Sequence, residues 1–345
     1  MLTVRSLSLL LALGALSAVE AAPKRNRNKG QTQQQQQATT AFAQAQQIPQ
    51  GVSTATDGST ILDATAQVNG LPLRFKVSMP ADQFTTDSGV DGAAQEAGAA
   101  GDLGLNVLLH GDGGQSFFDF PNQAVRNGVA GLAVLAPDPN LFWGGGSGLD
   151  RTDGAAHAQA VADLIADVMP QMVAFNASRV SFTGVSGGSL LLSGFFMPAH
   201  MARFGDAGAG RESQVLLNCG GLEPQVDVSA ADAAALAATR VHFQSTQQEL
   251  ALLQPAIPAA IKAYEQIAAD QGLDAAAIGA LQTVDNSPVG GHCEFDEKDF
   301  VSGVQLMADS FSAVVQGGDG VLSGTNVNVL NPVPGNEDLQ FSGAS

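Results

Sequence analysis

Read as apolar and polar positions, the chain switches between two periods. From Ile61 to Val68 and again from Leu71 to Val77, apolar residues recur at alternate positions around an Asn69-Gly70 pair, which predicts a β-hairpin closed by a tight turn. Residues 85–102 (TTDSGVDGAAQEAGAAGD) carry too few apolar side chains for an element and predict a mobile loop. Mostly apolar runs then predict buried strands at Leu105–His110 and Gly131–Ala136, separated by a helix over Phe117–Asn127. Between Asp153 and Phe175 the period lengthens to that of a helix, with Ala160, Val161, Leu164, Ile165, Val168 and Met172 on one face.

The β-branched and aromatic run Val180, Phe182, Thr183, Val185 predicts another strand, and Leu190, Leu191, Leu192, Phe195, Phe196 a helix after it. Further strands are expected at Gln214–Asn218 and Arg240–Ser245, with a short alanine-rich helix between them. A helical pair follows over 255–283, then a last helix over Asp296–Val315. No internal repeat is present. An antiparallel start followed by strand–helix alternation predicts an α/β fold: a mostly parallel central sheet with helices on both faces and an antiparallel N-terminal hairpin.

Composition divides the 345 residues further. Arg5, an apolar run from Leu7 to Leu16 and small residues at Val19 and Ala21 have the order of a secretory signal peptide, expected over 1–21. Residues 22–50 are basic and then glutamine-rich, a composition that cannot bury enough apolar surface to fold, and read as a disordered propeptide or linker. Lys24-Arg25 within it resembles the dibasic processing site of fungal secreted precursors, and reads equally as a solvated basic patch. A single domain is expected over 51–320 and a C-terminal tail over 321–345.

Five of the 15 basic residues lie in the leader, so from residue 50 onward 10 basic face 32 acidic residues, a net −22. Such a surface repels nucleic acid and anionic membranes. No later apolar stretch has the length of a transmembrane helix. The two cysteines, Cys219 and Cys293, are expected to pair in an oxidising compartment. Closing a loop 74 positions long would stabilise the fold by about 4 kcal/mol in chain-entropy terms. One usable sequon, Asn176-Ala-Ser178, predicts glycosylation of a surface loop.

The chemistry concentrates at Gly184-Val-Ser186-Gly187-Gly188, a G-x-S-x-G pattern set between a predicted strand and a predicted helix. Small flanking residues let the backbone turn sharply and leave the Ser186 hydroxyl at the end of the sheet. A hydroxyl becomes a nucleophile when a base takes its proton, and imidazole titrates in the useful range. Of the five histidines, His110, His157, His200 and His242 fall on predicted elements or their turns. His292 lies in a glycine-flanked loop late in the chain, where it could reach the sheet's end.

Three segments, VLLHGDGG at 107–114, GVSGG at 184–188 and GGHC at 290–293, give the chain over roughly 58–316 a resemblance to the α/β-hydrolase superfamily of serine esterases, of the fungal secreted type. The resemblance implies the order nucleophile, acid, histidine, which Ser186, Glu249 and His292 respect. Glu249 falls a few residues past a strand end, where this fold carries its acid; Glu223, Asp227 and Asp285 remain alternatives, and the usual residue there is aspartate.

Acyl transfer also needs donors for the oxyanion, expected from the amides of Gly187, Asp112 and Gly113. Trp143, the only tryptophan, sits in a glycine-rich loop after a strand and is a candidate for stacking on a substrate ring or for plugging the core edge. The helical pair 255–283 is the candidate for a partial lid.

The implied function is a secreted serine hydrolase acting as a monomer on small-molecule, carbohydrate or aromatic carboxylic esters. Two rivals share the fold: a non-catalytic secreted binding module and a serine peptidase. No metal-ligand spacing, P-loop or dinucleotide fingerprint occurs, so no metal and no cofactor are expected.

Overall fold

A computed structural model describes residues 49–55, 57–119, 128–205, 208, 210, 212–295 and 330–345. The predicted signal peptide and nearly all of the predicted linker, residues 120–127 of the predicted helix 117–127 and the whole predicted helix 296–315 lie outside the described residues.

The described strands form one ten-stranded sheet, ordered as in the chain except that the fifth strand lies between the third and the fourth. The hairpin is β2 (Thr60–Val68) and β3 (Leu71–Met79), paired antiparallel, with β1 (Gly51–Thr54) added outside β2. Its turn has φ +53° at Asn69 and +80° at Gly70. Positive φ at both central residues is the geometry that matches strand twist, which is why Asn-Gly closes it.

β4 (Gly104–Leu109), β5 (Val129–Leu135), β6 (Arg179–Val185), β7 (Glu212–Asn218), β8 (Arg240–Gln244) and β9 (Gln282–Asp285) run parallel to one another. All residues of β4 and β5 are buried, as strands covered on both faces must be, hence their mostly apolar sequence; the exception, Asn106 in β4, accepts a hydrogen bond from the Thr183 hydroxyl at 3.1 Å. The short β10 (Asn331–Pro332) closes the far edge antiparallel to β9.

Helix α1 (Gln115–Asp119) links β4 to β5, and α2 (Gly154–Asp163) leads from β5 toward β6 through a π turn, Leu164–Val168, and a last turn, Met169–Met172. After β6 come α3 (Gly187–Leu191), a π turn over Leu192–Phe196 and α4 (Met197–Phe204). Then α5 (Ala230–Leu236) joins β7 to β8, and α6 (Leu253–Asp270) with α7 (Ala275–Leu281) joins β8 to β9. The chain steps from β4 to β5 in one direction and returns past β4 to β6 in the other. Right-handed crossovers therefore put α1 on the face opposite the later helices.

Three expectations change. Segment 85–102 is pinned rather than mobile: Thr85 N–H donates to the Met172 carbonyl, Gly98 N–H to that of Pro170, and Phe84 bridges Val173. The pair 255–283 forms no lid, because Leu253, Ile257, Ala260, Ile261 and Tyr264 of α6 are all buried in the core, and Tyr264 Oη donates to the Ser193 carbonyl. Its last residues form β9, the edge of the parallel array. The described part of the tail is also part of the domain, with Val333 fully buried and its N–H bonded to the Gln282 carbonyl.

Candidate active site

Ser186 occupies the turn between β6 and α3 at φ 48°, ψ −113°, a region an L residue enters only under constraint. The constraint is visible. Ser186 N–H donates to the Asn218 carbonyl at 2.9 Å, Ser189 Oγ to the same oxygen at 2.9 Å, and Asn218 Nδ2 to the Gly184 carbonyl at 3.0 Å. Close packing of the turn demands glycine: a Cβ at 184 would lie 2.7 Å from the Ser189 backbone, and one at 188 only 2.2 Å from the Leu109 carbonyl.

His292 reaches this turn from the loop after β9. Its Nε2 lies 2.8 Å from Ser186 Oγ, and its Nδ1 bonds Glu249 Oε1. Glu249 has no exposed surface, although a glutamate is rarely buried without partners. Oε1 also accepts the Leu250 N–H at 2.8 Å, while Oε2 is buried with no partner. The two loops are laced together: Gln248 N–H donates to the Gly290 carbonyl at 3.1 Å and Thr246 Oγ1 to that of Gly291 at 2.8 Å. The tail lies over both, with Ser342 N–H on the Gln247 carbonyl and Ser345 Oγ accepting the His292 N–H.

Cys219 and Cys293 form a disulfide with Cα atoms 5.3 Å apart. It ties the residue after β7 to the residue after His292. His292 and the two sulfurs lie close together, yet disulfide sulfurs carry no thiolate to bind a metal.

Of the other carboxylates weighed, Glu223 and Asp227 are exposed, and the carboxylate bonded to the imidazole is that of Glu249. Asp285 is buried at the end of β9, where Oδ1 accepts the Ser287 N–H and Oγ–H and Oδ2 accepts Gln244 Nε2. The other four histidines are structural. His110 donates from Nδ1 to the Gly111 carbonyl and accepts the Ala136 N–H at Nε2, and burial lowers its pKa to about 4. Burial likewise lowers His157, which accepts the Gly144 N–H, and His200 and His242.

The predicted oxyanion donors separate. Gly187, at the first position of α3, has an N–H without an intrahelical partner. Asp112 lies directly against it: a Cβ at 187 would sit 3.3 Å from the Asp112 nitrogen. Gly113 is corrected, since its N–H donates to the Leu141 carbonyl at 3.2 Å and is occupied within the loop.

Trp143 is also corrected. It is wholly buried between His110, 5.3 Å away, and His157, 6.2 Å away, and a ring with no exposed face cannot stack on a substrate. Asn176 is half-buried just before β6, its Oδ1 accepting the Ser178 N–H at 3.0 Å.

Sequence reasoning passed over Arg151. Its guanidinium grips Asp112 in a fork, Nη1 to Oδ1 at 2.8 Å and Nη2 to Oδ2 at 2.7 Å. The available signal was a basic residue in a glycine-rich loop of a strongly acidic domain.

No known protein family matches the chain, and no curated protein matches it. Solved structures do match, at low identity. A thermostable esterase is 14% identical with a TM-score of 0.43, covering 70% of this chain and 58% of its own, so the chain spans well under two thirds of it. The feruloyl esterase module from Clostridium thermocellum complexed with sinapinate is 10% identical with a TM-score of 0.43, covering 75% and 88%. A methylesterase is 16% identical with a TM-score of 0.42, covering 77% and 57%. The fold class follows from the topology itself: six parallel strands with a reversal at β4 and β5, and a serine on a strained strand-to-helix turn, define an α/β-hydrolase fold.

Proposed function

We propose that this protein is a secreted serine hydrolase of carboxylic esters, acting as a monomer. The observation that carries the reading is the unbroken polar chain from Ser186 Oγ through both ring nitrogens of His292 to the fully buried Glu249. In this mechanism Ser186 Oγ attacks the ester carbonyl carbon as its proton passes to His292 Nε2. Glu249 holds the Nδ1–H tautomer and stabilises the imidazolium. The oxygen of the tetrahedral intermediate takes hydrogen bonds from the amides of Gly187 and Asp112. Collapse releases the alcohol with the proton from His292, leaving the acyl group on Ser186. Water, deprotonated by the same imidazole, then frees the acid and restores the serine.

The test is reaction with a fluorophosphonate probe and mapping of the labelled residue, beside turnover of short-chain aryl esters. Label and turnover are expected on the native protein and absent from Ser186→Ala with its fold intact. Label that persists in Ser186→Ala, or a native protein that neither labels nor turns over any ester, overturns the reading.

A further inference from the structure

A carboxylate, Asp112, packs against the turn at Gly187, the wrong sign for a site where negative charge develops. Asp112 Oδ1 would lie 2.1 Å from a Cβ at Gly187, so the carboxylate rests on the Gly187 backbone. Arg151 accounts for it. Its side chain is 1% exposed, it holds both Asp112 oxygens bidentately, and Nη1 also donates to the Trp143 carbonyl at 3.1 Å. The Asp112 side chain is 25% exposed, so solvent screens the pair and it adds little net stability. Its position against the nucleophile turn therefore calls for another reason.

We propose that Arg151 is a positioning residue for the oxyanion. The inference rests on the esterase reading above. The guanidinium fork fixes the turn 110–114 so that the Asp112 N–H, like that of Gly187, faces the carbonyl oxygen under attack. It also cancels the Asp112 charge that would oppose the oxyanion. The fork matters as much as the charge, because only a planar guanidinium meets both carboxylate oxygens at once.

The test compares native protein with Arg151→Gln, Arg151→Lys and the double variant Asp112→Asn/Arg151→Gln, using a short-chain aryl ester and an aryl trifluoromethyl ketone. The ketone probes the site directly: Ser186 Oγ bonds its carbonyl carbon, the carbonyl π pair becomes the oxyanion, and the serine proton moves to His292. Loss of one oxyanion donor lowers kcat by about 10² to 10³. Arg151→Gln is expected to lower kcat by about 10² with KM changed less than threefold, and to weaken the ketone in the same proportion. Arg151→Lys should fall between it and the native protein, and serves alone if the neutral variant does not fold. The double variant, with neither charge present, should recover at least fivefold over Arg151→Gln.

Native kcat in Arg151→Lys, a loss carried by KM with ketone affinity unchanged, or a double variant no better than Arg151→Gln overturns the inference. Each of those outcomes leaves Ser186 labelling in place and the esterase reading standing. A native protein whose Ser186 takes no label removes both.

Discussion

Acid should unfold this protein through its buried histidines, and His110 sets the size of the effect. Its Nε2 accepts the Ala136 N–H and its Nδ1–H is given to the Gly111 carbonyl, so the neutral ring is the only form both bonds allow. A second proton would set N–H against N–H in a site with 2% exposure, which is why burial lowers the pKa from 6.5 to about 4. Because the folded value is the lower one, the unfolded chain binds more protons between these limits. Stability is therefore fully present above pH 6.5 and is lost as pH falls toward 4. From the two values, His110 alone removes about 2 kcal/mol between pH 7.5 and pH 5. Repulsion among the acidic residues relaxes over the same range and works in the opposite direction, so the comparison must be differential.

Urea unfolding of the native protein and of His110→Gln at both pH values isolates the term. Gln lacks the titration, so the stability of the variant relative to native should improve by about 2 kcal/mol on acidification, whatever its deficit at pH 7.5. A difference between the two proteins that is the same at pH 7.5 and pH 5 would refute the reasoning.

Glu249→Gln should lower kcat by up to about 10⁴, the scale seen when a triad acid loses its charge; Asp285→Asn should cost far less, and the reverse ranking of turnover would move the acid to β9. Replacing Cys219 and Cys293 together by serine should lower stability by about 4 kcal/mol in urea and depress kcat, since the bridge anchors the residue after His292. Peptide mapping that finds two free thiols in the protein would remove that basis. Neutral acetylated or feruloylated sugar esters should be hydrolysed in preference to anionic liposomes, with the gap narrowing as salt screens the acidic surface. Equal rates on both at low salt would contradict the electrostatic argument.

Much of the site was legible because its elements announce themselves locally. Asn69-Gly70, the mostly apolar strands β4 and β5, and the glycines around Ser186 each express a local demand that few residues meet. What was not legible depends on partners far away in sequence. Trp143 in a glycine-rich loop reads equally as a stacking surface or a plug at the core edge, and only the packing of its ring against His110 and His157 decides for burial. Gly113 reads as a free amide until Leu141, at φ 58°, turns its carbonyl onto it. Strand β9 is four residues long and follows an alanine-rich helix directly, so its period never emerges. The tail is polar enough to read as solvent-exposed, and its place is set by backbone bonds to Gln247 and Gln282 that no side-chain pattern encodes. Arg151 escaped because a forked pair requires two loops to meet.

The convergence of the site has a simple origin in the parallel register. Val185, Asn218, Gln244 and Asp285 are successive partners in one row across β6, β7, β8 and β9. Each is the last residue of its strand, and in three cases the next N–H steps sideways onto the neighbouring carbonyl: Ser186 to Asn218, Cys219 to Gln244, Ser245 to Asp285. The row therefore ends the four strands at one level and releases Ser186, the disulfide, the Glu249 loop and the His292 loop from the same edge. A slip of one residue in any pairing would send that strand's side chains to the opposite faces and carry its loop away from the others. The buried alternation along these strands thus does more than fill the core: by fixing register, it sets the distances at which Ser186, His292 and Glu249 meet.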